Sequence, residues 1–109
     1  MTSAITIVFL TQQCAEKSIK GFLAYNKIKF TKTHDLEILG LEVLKLCPDL
    51  NDLLRETKNL NPYAVEFRYP DAAIKSLEIQ DIEEALVIAT QVYQEMTSRI
   101  PFDSSLVQI

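Results

Sequence analysis

The sequence predicts an all-α protein, an antiparallel up-and-down helical bundle. Three observations carry that expectation. Only two glycines (Gly21, Gly40) and four prolines occur in 109 residues, too few for the closely spaced turns of an all-β fold. Apolar residues recur at the 3.6-residue period, most clearly at Ile82, Ala85, Leu86, Ala89, Val92/Tyr93 and Met96. The stretches between periodic segments are short, which sets successive helices side by side in opposite directions. An apolar content of 48% with 24% charged residues fits a folded chain, not a disordered one. The length allows one domain, read as residues 1–100 with a tail at 101–109.

The first helix is expected from about Ser3 to Tyr25. Ile5, Phe9, Cys14/Ala15, Ile19 and Phe22/Leu23 mark one face, and Gln12, Gln13, Glu16, Lys17 and Lys20 take mainly the others. Asn26–Thr33 reads as a basic connector. Thr33 or Asp35 is placed to cap the next helix, which runs through Leu36, Leu39, Val43, Leu44 and Leu46. That helix stops at Cys47, because the residue before a proline avoids the α region. Pro48 suits the first turn of a third helix over about 48–58, with Leu50, Leu53 and Leu54 inward. Asn59–Tyr63 reads as a break, Tyr63–Phe67 as a helical turn, and Arg68-Tyr69-Pro70-Asp71 as an ordered turn leading into a loop. The last helix is expected over Glu78–Arg99. Asp81, Glu83 and Glu84 load its first turn and Arg99 its last, as the helix dipole favours. Pro101 ends it.

Charge and composition exclude several functions. Two isolated glycines cannot form a Gly-rich phosphate loop, and one histidine, His34, cannot form H-E-x-x-H. Residues 1–34 carry five lysines and one glutamate, whereas residues 35–109 carry six Lys/Arg and fourteen Asp/Glu. The basic set is Lys17, Lys20, Lys27, Lys29 and Lys32. It is either a solvated edge or one wall of an anion-binding groove. Cys14 and Cys47 stand alone in apolar stretches and read as reduced, buried thiols. The apolar run Ala4–Leu10 lacks a basic segment before it and is interrupted by Gln12 and Gln13, so it does not read as a signal peptide. No run approaches a membrane span, and a cytoplasmic protein is expected.

Three polar stretches occur in order: Phe9-Leu-Thr-Gln-Gln-Cys-Ala-Glu-Lys-Ser-Ile-Lys20, then Lys32-Thr-His-Asp-Leu36, then Tyr63-Ala-Val-Glu-Phe-Arg-Tyr-Pro-Asp71. Together, on a helical chain, they resemble the HEPN domain family (higher eukaryotes and prokaryotes nucleotide-binding), over about residues 5–100. The resemblance implies a bundle of four or five helices, commonly homodimeric. It also implies a minimal nucleotidyltransferase as frequent partner, with the HEPN chain as nucleotide- or substrate-binding subunit, or as the toxin of a toxin–antitoxin pair. Many members are ribonucleases with an Arg-x(4–6)-His motif. Here the only histidine is His34 and the first arginine is Arg55, so that motif cannot be written. The K-T-H-D-L and R-Y-P-D stretches resemble the nucleotidyltransferase-partner branch instead. A non-catalytic binding subunit is therefore expected, with an RNA-cleaving toxin or a pure interaction scaffold as alternatives.

Each candidate residue has two readings. His34 either contacts phosphate or base at a helix start, or acts as a cap or buried hydrogen-bonding residue. Arg68 and Tyr69 either bind phosphate and stack on an aromatic ring, or pin the loop through a carboxylate of Glu66, Asp71 or Asp35. The Tyr63 hydroxyl joins that cluster or fills a gap. Glu16 and Lys20 form a routine surface pair, or Lys17 and Lys20 border a groove with Lys32 and His34. One of Gln12 and Gln13 faces inward and needs partners for its amide. The candidate nucleotide- or partner-binding residues are thus Lys17, Lys20, Lys32, His34, Asp35, Tyr63, Arg68, Tyr69 and Asp71. No nucleophile–base pair, metal cluster or cofactor site is expected, although His34 could serve as a lone base. Tyr63, Tyr69 and Tyr93 each offer a hydroxyl that an adenylyl group could modify.

One expectation concerns the chain start. Relatives usually carry a further helix before the F-x-x-Q-Q stretch, packed against it as a hairpin. The helix at Ile5–Leu10 is apolar nearly all round, as a helix missing a neighbour would be. The bundle is therefore expected to lack its first helix, leaving Ile5, Ile7, Val8 and Leu10 partly exposed or covered by another subunit.

Overall fold

A computed structural model describes residues 4–64 and 77–101, and among them every regular element is helical. Helix α1 spans Ala4–Tyr25. It ends in a Schellman-type turn: the Ile28 N–H donates to the Leu23 carbonyl and the Lys27 N–H to that of Ala24, both at 3.0 Å. Lys27 takes the left-handed φ of 59° that this turn requires, a position where glycine is the usual occupant. The chain then reverses, and α2 spans Leu36–Leu46. Asp35 is its cap, its Oδ1 accepting the Glu37 N–H at 2.9 Å. Thr33 Oγ1 in turn accepts the Asp35 N–H at 3.0 Å. The helix closes at Cys47, before Pro48, as expected.

Between residues 48 and 64 the expectation needs correction. A 3₁₀ turn at Pro48–Leu50 leads into a short helix α3 at Asn51–Thr57, and a second 3₁₀ stretch runs from Lys58 to Ala64. Residues 59–63 are thus helical, not a break. The tighter winding accepts Pro62, whose missing N–H and bulky ring an α-helix interior tolerates poorly. The expected helical turn at Tyr63–Phe67 falls mostly outside the described residues, as does the loop after it. Helix α4 spans Ile79–Ser98, within one residue of expectation at each end. Its start is closed by the Asp81 carboxylate, which accepts the Glu78 N–H at 2.9 Å.

The core forms where the four helices meet. Val8, Ala15, Ile19 and Leu23 of α1 face Leu36, Leu39 and Val43 of α2, Leu54 of α3, and Ala85, Ala89, Val92 and Met96 of α4. Helix α4 packs most extensively on α1. At the far end Arg99 bridges Asp49 at 2.7 Å and Glu95 at 3.1 Å. The Arg99 hydrogen bond holds the Asp49 carboxyl below its ordinary value, and both carboxylates raise that of the guanidinium.

Several inward assignments are corrected. Leu86 and Tyr93 lie on the exposed side of α4, while Val92 takes the core position. Cys14 is exposed, and only Cys47 is a buried thiol. In the apolar start of α1, Leu10 is exposed and Ile7 partly so, but Val8 is fully buried. Ile5 lies outside the described side chains. Among the described residues no helix is long and apolar enough to cross a membrane.

Candidate functional site

The site is built around a carboxylate that the sequence places on a helix surface. Glu16 sits in the middle of α1, yet its side chain is 0% exposed. The connector after α1 crosses this face and lays His34 over it. His34 Nδ1 lies 3.0 Å from each Glu16 carboxylate oxygen. Lys20 Nζ, one turn along α1, donates to Oε2 at 3.0 Å. Gln12 Nε2, one turn back, donates to Oε1 at 3.1 Å and to the His34 carbonyl at 3.3 Å. Gln13 fixes the other end of that amide by donating to Gln12 Oε1 at 2.7 Å. Gln12 is therefore the inward glutamine. The expected Glu16–Lys20 pair exists, but not as an exposed pair, because Gln12 and Glu16 are buried by the crossing connector. Burial raises the Glu16 carboxyl, but the hydrogen bonds from Lys20, Gln12 and His34 outweigh it and hold the group below its ordinary 4.5.

This arrangement fixes the tautomer of His34. An ionised carboxylate only accepts, so Nδ1 carries the proton that faces it. The ring is otherwise open, with the side chain 73% exposed. Its Nε2 is therefore available to solvent or a ligand, while Glu16 prevents rotation. His34 is neither the cap of α2 nor buried: it is hydrogen-bonded to Glu16 and presented at the surface.

The neighbouring loop is tied to the same place. Asn61 Oδ1 accepts the Leu36 N–H at 2.8 Å, and Asn61 Nδ2 donates to Asp35 Oδ1 at 2.9 Å. Asp35 is thus a cap with its carboxylate held by backbone and amide. Asn61 was not expected here. An Asn-Pro pair reads as a turn, and nothing in its local sequence aims the amide at a residue 26 positions earlier.

The remaining candidates divide. Lys17 and Lys32 are exposed, with no ion pair to any described residue. Tyr63 is half-buried, and its hydroxyl is raised above 10.0 by burial and then by the charges of Asp81 and Glu84 on α4. It faces the acidic start of α4, whereas His34 faces α1. Arg68, Tyr69 and Asp71, together with Glu66, lie outside the described residues. Among the described residues no three His, Cys, Asp or Glu side chains gather as metal ligands. Chemically, the cluster can exchange a proton at Nε2, and with that proton in place the imidazolium and the nearby ammonium groups can hold an anion.

No curated protein and no solved structure matches the chain. The model of the HEPN domain matches residues 5–100, nearly the whole length, and covers all four helices together with the Gln12–Glu16–His34 cluster. The chain belongs to the HEPN domain family.

Proposed function

We propose that this domain is a non-catalytic binding subunit that presents His34 to the phosphates of a nucleotide and works beside a minimal nucleotidyltransferase. The observation that carries this reading is the exposed His34 ring locked at Nδ1 by a fully buried carboxylate. A locked ring loses little freedom when it binds, so the contact that its Nε2–H makes with a phosphate oxygen, once the ring takes up a second proton, is not offset by ordering. Lys20 is held beside it, and Lys32 precedes it by two residues. The chain carries no Arg-x(4–6)-His motif, and a carboxylate set for Mg²⁺ would have to come from the partner. Calorimetric titration with ATP and with the product of the neighbouring gene tests the proposal. Binding is expected for the intact protein and lost in His34→Ala, with Lys45→Ala unchanged as an exposed control. Silence towards both titrants overturns it.

One observation favours a second reading. A histidine with a carboxylate on Nδ1 and a free Nε2 is the arrangement of a general base. Incubation with RNA decides: cleavage that vanishes in His34→Ala makes the domain a ribonuclease, and intact RNA retains the binding role.

A further inference from the structure

We infer that phosphate binding at His34 is coupled to the uptake of a proton, so that pH gates the site; this rests on the binding role proposed above. A free neutral imidazole carries its proton on either nitrogen and can donate from whichever one faces a ligand. His34 has lost that choice. Its Nδ1 lies 3.0 Å from both oxygens of Glu16, a carboxylate whose side chain is 0% exposed. Moving the proton to Nε2 would set the Nδ1 lone pair against an ionised carboxylate and take a donor from a buried acceptor. The backbone is held as well, because Gln12 Nε2 donates to the His34 carbonyl at 3.3 Å. The neutral ring therefore turns only a lone pair outwards, and a lone pair repels a phosphate oxygen. Attraction begins when Nε2 takes a proton.

The surrounding charges make that proton decisive. Glu16 and Lys20 of α1 pair at 3.0 Å and cancel, so the cluster is neutral while the ring is neutral and turns positive when the ring is protonated. The other charged groups on the elements that meet here are Lys17 of α1, Lys32 of the connector, Asp35 and Glu37 at the start of α2, and Lys58 of the 3₁₀ stretch. Asp35 accepts from the Glu37 N–H and from Asn61, and Glu37 pairs with Lys58 at 3.9 Å, so both acids have partners of their own. Among these side-chain types the imidazole is the one whose charge ordinarily changes between pH 5 and 8. Glu16 thus does more than orient the ring. By denying it the neutral donor form, the carboxylate ties phosphate binding to the proton.

Two measurements on the intact protein test this. The chain has one histidine, so a nitrogen-edited ring spectrum reads His34 directly. In the free protein at about pH 8 the proton is expected on Nδ1, and on both nitrogens once ATP is bound. A free ring protonated on Nε2 overturns the inference. Calorimetry with ATP at about pH 7.5, in two buffers that differ in heat of ionisation, counts the protons taken up. About one is expected, with affinity falling about tenfold per pH unit above neutrality. Glu16→Gln, checked by helical circular dichroism, separates the proton effect from loss of structure. An amide donates as well as accepts, so the ring can face it with a bare Nδ1 and carry its proton on Nε2. That variant is expected to bind ATP with little proton uptake and nearly level affinity between about pH 7 and about pH 8.5. ATP bound by the intact protein without proton uptake overturns this inference and leaves the binding role standing. ATP left unbound at every pH between about 5.5 and about 8.5 overturns both.

Discussion

At the scale of single residues, Glu16 sets the properties of the site. Its buried carboxylate accepts from Gln12, Lys20 and His34, so its charge is compensated on every side. Glu16→Gln puts an amide donor against at least one of these donors and leaves a buried polar group without a partner. The expected loss is about 1–3 kcal/mol at pH 7, read from urea unfolding. The pH dependence has a definite sign. The folded-state carboxyl titrates below its ordinary 4.5, so the stabilisation is complete above that value. It is lost as pH falls from about 4.5 through the lower folded-state value. Thermal melts between pH 5 and pH 3 should therefore fall more steeply for the native protein than for Glu16→Gln. Parallel curves would mean that Glu16 does not titrate in this cluster. His34→Ala removes one of the three donors to Glu16 together with the ligand contact, so it should cost about 1–2 kcal/mol in the same unfolding assay.

At the scale of elements, the start of α2 is held from both sides: by its own cap at Asp35 and by Asn61 from the 3₁₀ stretch. Asn61→Ala releases the Leu36 N–H and one partner of Asp35 together. The expected cost is about 1–2 kcal/mol in urea unfolding, and an unchanged midpoint would show that the loop contact is idle. The contrast between Asp35 and Asn61 shows what the sequence made legible. The helices of the bundle could be read because each carries local signals: the period of α4, the cap before Leu36, the proline after Cys47. Residues 58–64 carry no such period, and their 3₁₀ winding depends on packing against α1. The site was legible by half. His34 and Lys20 stood out by type and position, but the depth of Gln12 and Glu16 was hidden. On a helix apolar nearly all round, burial of a polar residue depends on which neighbour crosses it, and that neighbour is the connector. Leu86 and Tyr93 were misplaced for the same reason, since periodicity gives an apolar stripe without saying how much of it the fold covers.

At the scale of the molecule, charge and apolar surface are segregated. The first 34 residues carry a net +4 and the rest −8, and His34 and Lys20 both belong to the positive part. The groove between α1 and α4 is lined without charge on another side of α1. An anion drawn to His34, Lys20 and Lys32 is held by charges at the surface, which salt screens strongly once the Debye length falls to a few ångströms. Raising sodium chloride from about 0.05 M to about 1 M should therefore weaken nucleotide binding several-fold. Calorimetric titrations at the two salt concentrations measure it. Affinity that does not change would mean that the charges of this cluster do not hold the ligand, and would overturn the role given to His34 and Lys20.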